Sequence, residues 1–289
     1  MIWLLLSFIT ALAVSSTEAF VKKFFSELNV YEMTAIPIIY CTPLLIITAP
    51  FIKIPDLDKM FFIIIIIFIP INSIALILYM KAIKISPLSL SVPYLAFTPA
   101  FIIITGYFLL DEIPNKWGMS GILLICIGGY FIHIDPKKWT FFEPLKAIFK
   151  ETGSWLMLIV SFLFSICAPL GKQAIIHSSP MFFSVIFFTI YNIIFSLLLL
   201  LFGKIDIKKI FAKPYHGLLT GTLLYTHIIS HGFAVSMIKA AYMISIKRFS
   251  IIFSIIYGRL LFKEKAIFIR FIGTFIMVSG AVIISILGK

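Results

Sequence analysis

The sequence contains few charged residues. Asp, Glu, Lys and Arg make up 12% of the 289 residues, whereas a soluble domain averages about 25%. Among the charged residues the acidic ones are fewer, with 12 Asp and Glu against 24 Lys and Arg. So little charge excludes an ordinary water-exposed surface. Hydrophobic residues make up 61% of the chain and the mean hydropathy is +1.12, which indicates a protein that lies largely within a membrane.

Reactive motifs are scarce as well. The three cysteines, Cys41, Cys126 and Cys167, fall within apolar stretches and are interpreted as packing residues. No Walker-type phosphate loop occurs, so the chain has no recognisable site for ATP hydrolysis of its own. No His-Glu-x-x-His motif, Ser-His-Asp order or paired carboxylates lie within the apolar stretches, which argues against a membrane-embedded hydrolase. We therefore expect no cofactor, no metal and no enzymatic activity.

Ten apolar stretches are long enough to cross a membrane, at roughly 20 residues per span. We interpret the first as a span and not as a cleavable signal peptide, because it lacks a basic region before its apolar run. The sequence predicts an all-α membrane protein with ten transmembrane helices. The ten spans cover residues 2–21, 31–52, 60–80, 88–110, 117–134, 153–176, 181–203, 214–238, 241–262 and 267–287.

Residues 106–130 and 258–282 carry one pattern twice, 152 residues apart and without a gap. Five spans per half is an odd number, so the second half enters the membrane in the opposite orientation, as an inverted repeat. The predicted division is a first repeat at 1–134, a connecting loop at 135–152 and a second repeat at 153–289. The matched positions are Gly106 with Gly258, Leu109 with Leu261, Glu112 with Glu264, Gly121 with Gly273 and Gly128 with Gly280.

The chain resembles the drug/metabolite transporter superfamily in its ten-span, EamA-type form. The resemblance rests on the two Gly-x5-Glu turns and the small-residue ladders after them, on Lys22 and Lys172, which close spans 1 and 6, and on residues 82–87, which lead into span 4. It implies a multi-pass protein of the inner cell membrane. It also implies a substrate cavity between the halves near the bilayer midplane, alternating access, and transport without ATP hydrolysis.

The net charge of +12 needs no nucleic-acid partner, because lysines that flank the spans meet anionic headgroups. The expected partners are a small-molecule substrate and the lipid bilayer, with a proton or a counter-substrate as further candidates; a monomer and a homodimer both fit. Fourteen lysines follow odd-numbered spans and six lie on the opposite side, which places both termini outside. The superfamily usually keeps both termini cytoplasmic, so the two indications disagree.

Two adjacent cations, Lys247 and Arg248, lie one to two turns inside span 9. Ser250, Ser254 and Gly258 follow Lys247 at helical spacing and predict a stripe that faces a cavity or another helix. The functional interpretation is an oxyanion site in which Lys supplies a point charge and Arg a bidentate fork. The alternative is that both side chains snorkel to the nearby interface.

A second resemblance concerns the same two cations. Plastid triose-phosphate translocators, distant members of the superfamily, carry an adjacent Lys-Arg in the ninth span that holds the substrate phosphate. They also use a basic residue in span 4, which is absent here, since Lys84 only precedes that span. The resemblance therefore implies an anionic or carboxylate-bearing substrate and not necessarily a phosphate.

Glu18 in span 1 is the candidate for coupling transport to a proton or cation. Lys22 follows four residues later, so the alternative is an ion pair at the helix end. Small multidrug transporters use a glutamate in span 1 for coupling, but the matching position in this sequence is nearer Thr10.

Further polar residues within spans are interpreted as cavity lining or as interhelical hydrogen-bond partners. His227 and His231 share one helix face, although two histidines alone fall short of a usual metal site. Pro93 and Pro99 predict a bend in span 4, whereas its repeat partner, span 9, has no proline. Span 4 is thus expected to bend while span 9 supplies charge. The remaining predicted substrate-binding residues are Asn72, Tyr79, Tyr94, Thr98 and Asn192.

The sequence leaves three functional alternatives. The favoured one is a secondary transporter of a small polar, anionic or carboxylate-bearing metabolite. The second is a membrane protein that does not transport, such as a structural subunit or an enzyme acting on a lipid-linked substrate. The third is an exporter of neutral or cationic amphipathic compounds within the same superfamily.

Overall fold

The chain is helical throughout the part that can be described. The computed structural model describes residues 1–98, 101–102, 105, 115–131 and 151–264, together with isolated positions between 268 and 287. No strand occurs in these described residues. The all-α fold predicted from the sequence is confirmed.

Eleven helices are bounded within the described residues. The π-helical turn Phe182–Phe187 leads into α7, and the 3-10 turns Ala49–Phe51 and Val92–Phe97 extend α2 and α4. The helices are α1 (Ile2–Phe25), α2 (Val30–Thr48), α3 (Lys59–Ile85), α4 (Leu88–Ser91), α5 (Lys116–Phe131), α6 (Thr152–Ile176), α7 (Phe188–Leu201), α8 (Ile207–Ile210), α9 (Pro214–Met237), α10 (Ala240–Lys247) and α11 (Ser250–Phe262).

Six of the described helices are long and apolar enough to cross a membrane: the helices of spans 1, 2, 3, 6, 7 and 8. Spans 4 and 5 contain the shorter apolar helices Leu88–Phe97 and Lys116–Gly128. Span 9 is divided between α10 and α11. Span 10 has only isolated described positions, and the predicted connecting loop lies outside the described residues apart from Glu151 and Thr152.

Side-chain caps fix where several helices begin. The Asn29 side chain accepts from the Glu32 amide while the Glu32 carboxylate accepts from the Asn29 amide, which is a complete capping box at the start of α2. Asp58 caps α3 by accepting from the Phe61 amide, and Glu151 caps α6 by accepting from the Ser154 amide. These caps satisfy amides that have no partner within the helix.

Helices of one half pack against helices of the other, in pairs that the repeat relates to each other. Helix α1 packs along α9, and α6, its repeat equivalent, packs along α3. Lys22 in α1 donates to the carbonyl of Ser86, just after α3. Lys172 in α6 likewise donates to the carbonyl of Ile238, just after α9, at 3.0 Å. The two lysines that the sequence matches therefore satisfy equivalent helix-end carbonyls.

The chain directions agree with an inverted repeat. Ser86 lies beside both Lys22, at the end of α1, and Glu151, at the start of α6. Helix α1 therefore ends at the face of the protein where α6 begins. Equivalent helices of the two halves cross in opposite directions, as the odd number of spans predicts.

Ion pairs tie the two halves together on both faces. Lys213, before α9, lies 2.5 Å from Glu27, after α1, and this hydrogen bond holds the pKa of the Glu27 carboxyl below its usual value. On the other face, His177 Nδ1 lies 2.6 Å from Asp58. The Phe61 amide and, after it, His177 hold the pKa of Asp58 below its usual value. Both pairs are solvent-accessible, so each contributes little to stability.

The expected division of labour between spans 4 and 9 is wrong, because both spans depart from a regular α-helix. Span 4 tightens into the 3-10 turn around Pro93, as expected. Span 9 also breaks, between Lys247 and Ser250, although it has no proline. There the amides of Phe249 and Ile251 bond three residues back, to Ile246 and Arg248. A tightened turn of this kind bends a helix without a proline.

Glycines allow the helices to approach closely. An added Cβ at Gly221 in α9 would lie 2.5 Å from the Tyr40 carbonyl carbon and 2.8 Å from the Cys41 nitrogen, both in the backbone of α2. A Cβ at Gly280 in span 10 would lie 2.5 Å from the Gly121 carbonyl oxygen in α5. Gly121 and Gly280, taken from the two predicted small-residue ladders, therefore meet at a helix crossing.

We expect Gly221→Ala to destabilise the protein by about 1–3 kcal/mol, because the methyl group meets helix backbone that cannot rotate away. Gly171→Ala is the matched control, since its Cβ would lie 3.7 Å from the nearest atom, in the Phe68 ring. Thermal unfolding of the two purified variants in one detergent measures the difference. Equal unfolding temperatures would contradict the close approach of α2 and α9.

Candidate functional site

A central cavity of about 200 Å³ lies among the predicted spans 1, 2, 3, 4, 6, 7, 8 and 9. Both halves therefore contribute to its wall. Most of the lining is apolar, but charged and polar side chains reach it from α1, α3, α9 and the α10–α11 break. This mixture of an apolar wall and a few polar groups is typical of small-molecule sites.

Glu18 is buried at the cavity wall and is held by two hydroxyl groups. The Tyr79 hydroxyl donates to Glu18 Oε1, and Ser254 Oγ lies 3.5 Å from Oε2. Because a carboxylate only accepts, two donors stabilise its ionised form. Lys22, the alternative partner of Glu18, instead donates to the Ser86 carbonyl. The prediction that Glu18 couples transport to a proton or cation remains a prediction.

Lys247 and Arg248 both line the cavity, which is the placement expected for the oxyanion site and not for snorkelling. Lys247 Nζ lies 3.0 Å from His227 Nε2. An ammonium group only donates, so when Lys247 is protonated His227 Nε2 accepts and its ring is neutral. Arg248 is 4% exposed, and its Nε atom has no hydrogen-bond partner among the described residues.

Four buried polar atoms at the cavity wall have no hydrogen-bond partner among the described residues. An unsatisfied buried polar group costs about 1–3 kcal/mol, so a cluster of them indicates a place where a ligand or water binds. An arginine Nε and an amide nitrogen only donate, while a hydroxyl and a neutral imidazole nitrogen can donate or accept. The four atoms are Arg248 Nε, Asn192 Nδ2, Ser184 Oγ and His231 Nδ1.

Aromatic rings form much of the apolar wall. Phe68 packs edge-on against Phe183, with ring centroids 5.8 Å apart, and against Phe188 at 6.5 Å. Tyr191 belongs to the same wall, and its hydroxyl lies 3.0 Å from Ser73 Oγ. Phe164 faces the cavity beside Tyr79. The cavity therefore offers an aromatic surface together with its charged groups.

Eight of the eleven predicted substrate-binding residues line this cavity, as does Glu18. The other three lie elsewhere: Ser254 contacts Glu18 from outside the lining, Thr98 lies 2.9 Å from Ser161 in α6, and Tyr94 is buried but is not part of the lining. The eight are Asn72, Tyr79, Asn192, His227, His231, Lys247, Arg248 and Ser250.

Sequence reasoning missed the contribution of span 2 and of the part of span 7 that precedes Asn192. Thr34 and Pro37 reach the cavity from α2, and Phe183 and Ser184 reach it from the π-helical turn. The run of four phenylalanines in residues 182–188 was the available signal, but apolar runs are common in lipid-facing helices. Among the described residues, no group of three His, Cys, Asp or Glu side chains could hold a metal ion.

The loop glutamate Glu264 caps a helix of the other half. Its carboxylate accepts from the amides of Leu88 and Ser89, each at 3.1 Å, and from the Ser89 hydroxyl, at the start of α4. An added Cβ at Gly258 would lie 2.7 Å from the Glu264 carboxylate. The Gly-x5-Glu pattern thus gives the carboxylate room to reach the opposite half. The first copy, with Gly106 and Glu112, lies outside the described residues.

Comparison with known proteins gives a family match for the first part of the chain. Residues 1–134 match the EamA-like transporter family. This match confirms the resemblance predicted from the Gly-x5-Glu turns and the span-closing lysines. The EamA match and the apolar helices together support a multi-pass membrane transporter of the drug/metabolite type, with a small-molecule substrate.

Solved structures extend the similarity in fold to the whole chain. One crystal structure superposes with a TM-score of 0.68 over 99% of this chain and 97% of the other. The identity is 13%, so this similarity concerns the fold alone. A comparison with curated proteins gives no match.

Proposed function

We propose that this protein is a secondary active transporter of the inner cell membrane that moves a small anionic or carboxylate-bearing metabolite by alternating access. Residues 1–134 and 153–289 form its two repeats, and the central cavity holds the substrate. The observation that carries the proposal is Arg248, which is 4% exposed and faces the cavity with an Nε that has no hydrogen-bond partner among the described residues. A buried charged donor without a partner is costly unless an anion or water reaches it.

Charge and donor chemistry support an anionic substrate. Lys247 and Arg248 supply two cations at adjacent positions, one as a point charge and one as a planar fork. The amide nitrogen of Asn192 adds a donor that no described residue partners. A carboxylate accepts several hydrogen bonds at once and therefore matches this set of donors.

The size of the cavity supports a small substrate. Its volume of about 200 Å³ is below the roughly 300–1,000 Å³ that is usual for drug-sized ligands. Large amphipathic drugs therefore fit this site less well than a compact metabolite does.

Counterflow in proteoliposomes tests the proposal. Purified protein is reconstituted without ATP and preloaded with an unlabelled small carboxylate, and entry of the labelled compound is followed, in parallel with a small amine. We expect saturable uptake of the carboxylate but not of the amine. The variant Lys247→Ala/Arg248→Ala should lose most of this uptake, because the substrate anion then has no counter-charge.

The matched control is Lys53→Ala/Lys208→Ala, which removes two exposed lysines distant from the cavity. It corrects for any general effect of the change in net charge on reconstitution. Two results would refute the assignment of an anionic substrate. One is saturable uptake of the amine in place of the carboxylate, and the other is normal carboxylate uptake by Lys247→Ala/Arg248→Ala.

A further inference from the structure

The charged groups of the cavity wall determine more than the sign of the substrate. Of the described lining residues, only three carry a full formal charge: Glu18, Lys247 and Arg248. One carboxylate against two cations leaves one positive charge. The ionisable side chains that face the cavity are Glu18, Tyr79, Cys167, Tyr191, His227, His231, Lys247 and Arg248.

The hydrogen bonds of the cavity wall fit these charge states. The Tyr79 hydroxyl donates a hydrogen bond to a Glu18 carboxylate oxygen. With Lys247 as an ammonium group, His227 is the acceptor and its imidazole is neutral. The His231 ring lies 5.7 Å from that of His227 and shares the cavity with both cations, so a proton on it would add a third positive charge.

Building on the proposed function, we infer that Glu18 is a specificity-determining residue, which sets the cavity to accept substrates with a single net negative charge and a small apolar or aromatic body. A monoanion leaves the occupied cavity neutral. A dianion leaves one uncompensated negative charge, and a neutral or zwitterionic substrate leaves one uncompensated positive charge. Each unbalanced state is costly in a wall that is largely apolar. The rings of Phe68, Phe164, Phe183 and Phe188 offer the surface for the apolar body.

Binding of four ring compounds that differ chiefly in charge tests this inference: benzoate, phthalate, benzamide and benzylamine. Affinities are measured by calorimetry at one pH and one ionic strength, on the full-length protein in detergent. The wild-type protein should bind benzoate at least tenfold more tightly than each of the other three.

Two variants change the cavity charge in opposite directions. Glu18→Gln keeps an oxygen acceptor for Tyr79 but raises the net charge to two, and should shift the phthalate-to-benzoate affinity ratio at least tenfold toward phthalate. Lys247→Ala lowers the net charge to zero and should shift the benzamide-to-benzoate ratio toward benzamide by a similar factor. Glu18→Asp keeps the charge and should keep the wild-type order of preference.

The outcomes separate this inference from the proposed function. If the wild-type protein binds none of the four compounds, or binds benzylamine most tightly, the anion assignment and this inference both fail. If benzoate binds best but neither charge-changing variant alters the ratios, the proposed function stands and the charge-matching role of Glu18 is refuted. If Glu18→Gln does not fold, Glu18→Ala, which removes the same charge, is measured in its place.

Discussion

Arg248→Ala is expected to weaken binding of an anionic substrate by at least tenfold. The guanidinium is buried and lines the central cavity, and its Nε has no hydrogen-bond partner in the described part of the chain, so this atom can donate to a bound anion. Charge-assisted hydrogen bonds contribute about 1.5–3 kcal/mol each, and 1.4 kcal/mol corresponds to one decade in affinity. Equilibrium binding of the best carboxylate from the counterflow experiment measures the loss.

Arg248→Lys should recover only part of this affinity, because lysine restores the charge but lacks the planar fork and its Nε donor. Arg259→Ala is the matched control, since Arg259 is an exposed arginine on α11. Full recovery of affinity in Arg248→Lys would show that the site requires only a positive charge at this position. An affinity equal to wild type in Arg248→Ala would remove Arg248 from the substrate site.

Most of the fold could be predicted from the sequence because the apolar runs and the internal repeat are signals that extend over many residues. Apolar runs of about 20 residues define spans whatever their neighbours are, and the match of Lys22 with Lys172 reflects equivalent bonds to helix-end carbonyls. The break of span 9 after Lys247 has no such signal. It replaces regular helix bonds with a tightened turn, and the sequence there contains no proline.

The candidate site could be predicted in part because polar residues within spans are rare, so each is informative. Lys247, Arg248, His227 and His231 were found in this way and share the cavity. The partner of Glu18 was not predicted, because the i,i+4 rule considers one helix at a time. In the fold, Lys22 binds the carbonyl after α3 and Tyr79 of α3 binds Glu18.

Irregular backbone accounts for the rest of the unpredicted site. Ser184 lies in the π-helical turn before α7, and a π turn shifts the register of the side chains that follow it. A helical projection of span 7 with regular spacing therefore assigns Phe183 and Phe188 to different faces, whereas both line the cavity. The apolar run that contains them gives no indication of the turn, because a phenylalanine in the sequence looks the same whether it faces lipid or the cavity.

Glu264→Ala is expected to destabilise the protein by on the order of 3 kcal/mol. The carboxylate accepts three hydrogen bonds at the start of α4, two from the amides of Leu88 and Ser89 and one from the Ser89 hydroxyl. Hydrogen bonds to a charged group contribute about 1.5–3 kcal/mol each, although water replaces part of this at a helix end. Glu264 belongs to the second half and α4 to the first, so the variant loosens a contact between the halves.

The effect of Glu264→Ala should appear in stability and expression, while substrate affinity changes less than threefold, because Glu264 is not part of the cavity wall. Gly258→Ala should act in the same direction, since its Cβ would lie 2.7 Å from the Glu264 carboxylate. Glu27→Ala is the control: its exposed pair with Lys213 should contribute less than about 1 kcal/mol. Thermal unfolding and binding of the best carboxylate, measured on the same preparations, separate the two roles. A large loss of affinity with unchanged unfolding temperature would instead place Glu264 in the transport pathway.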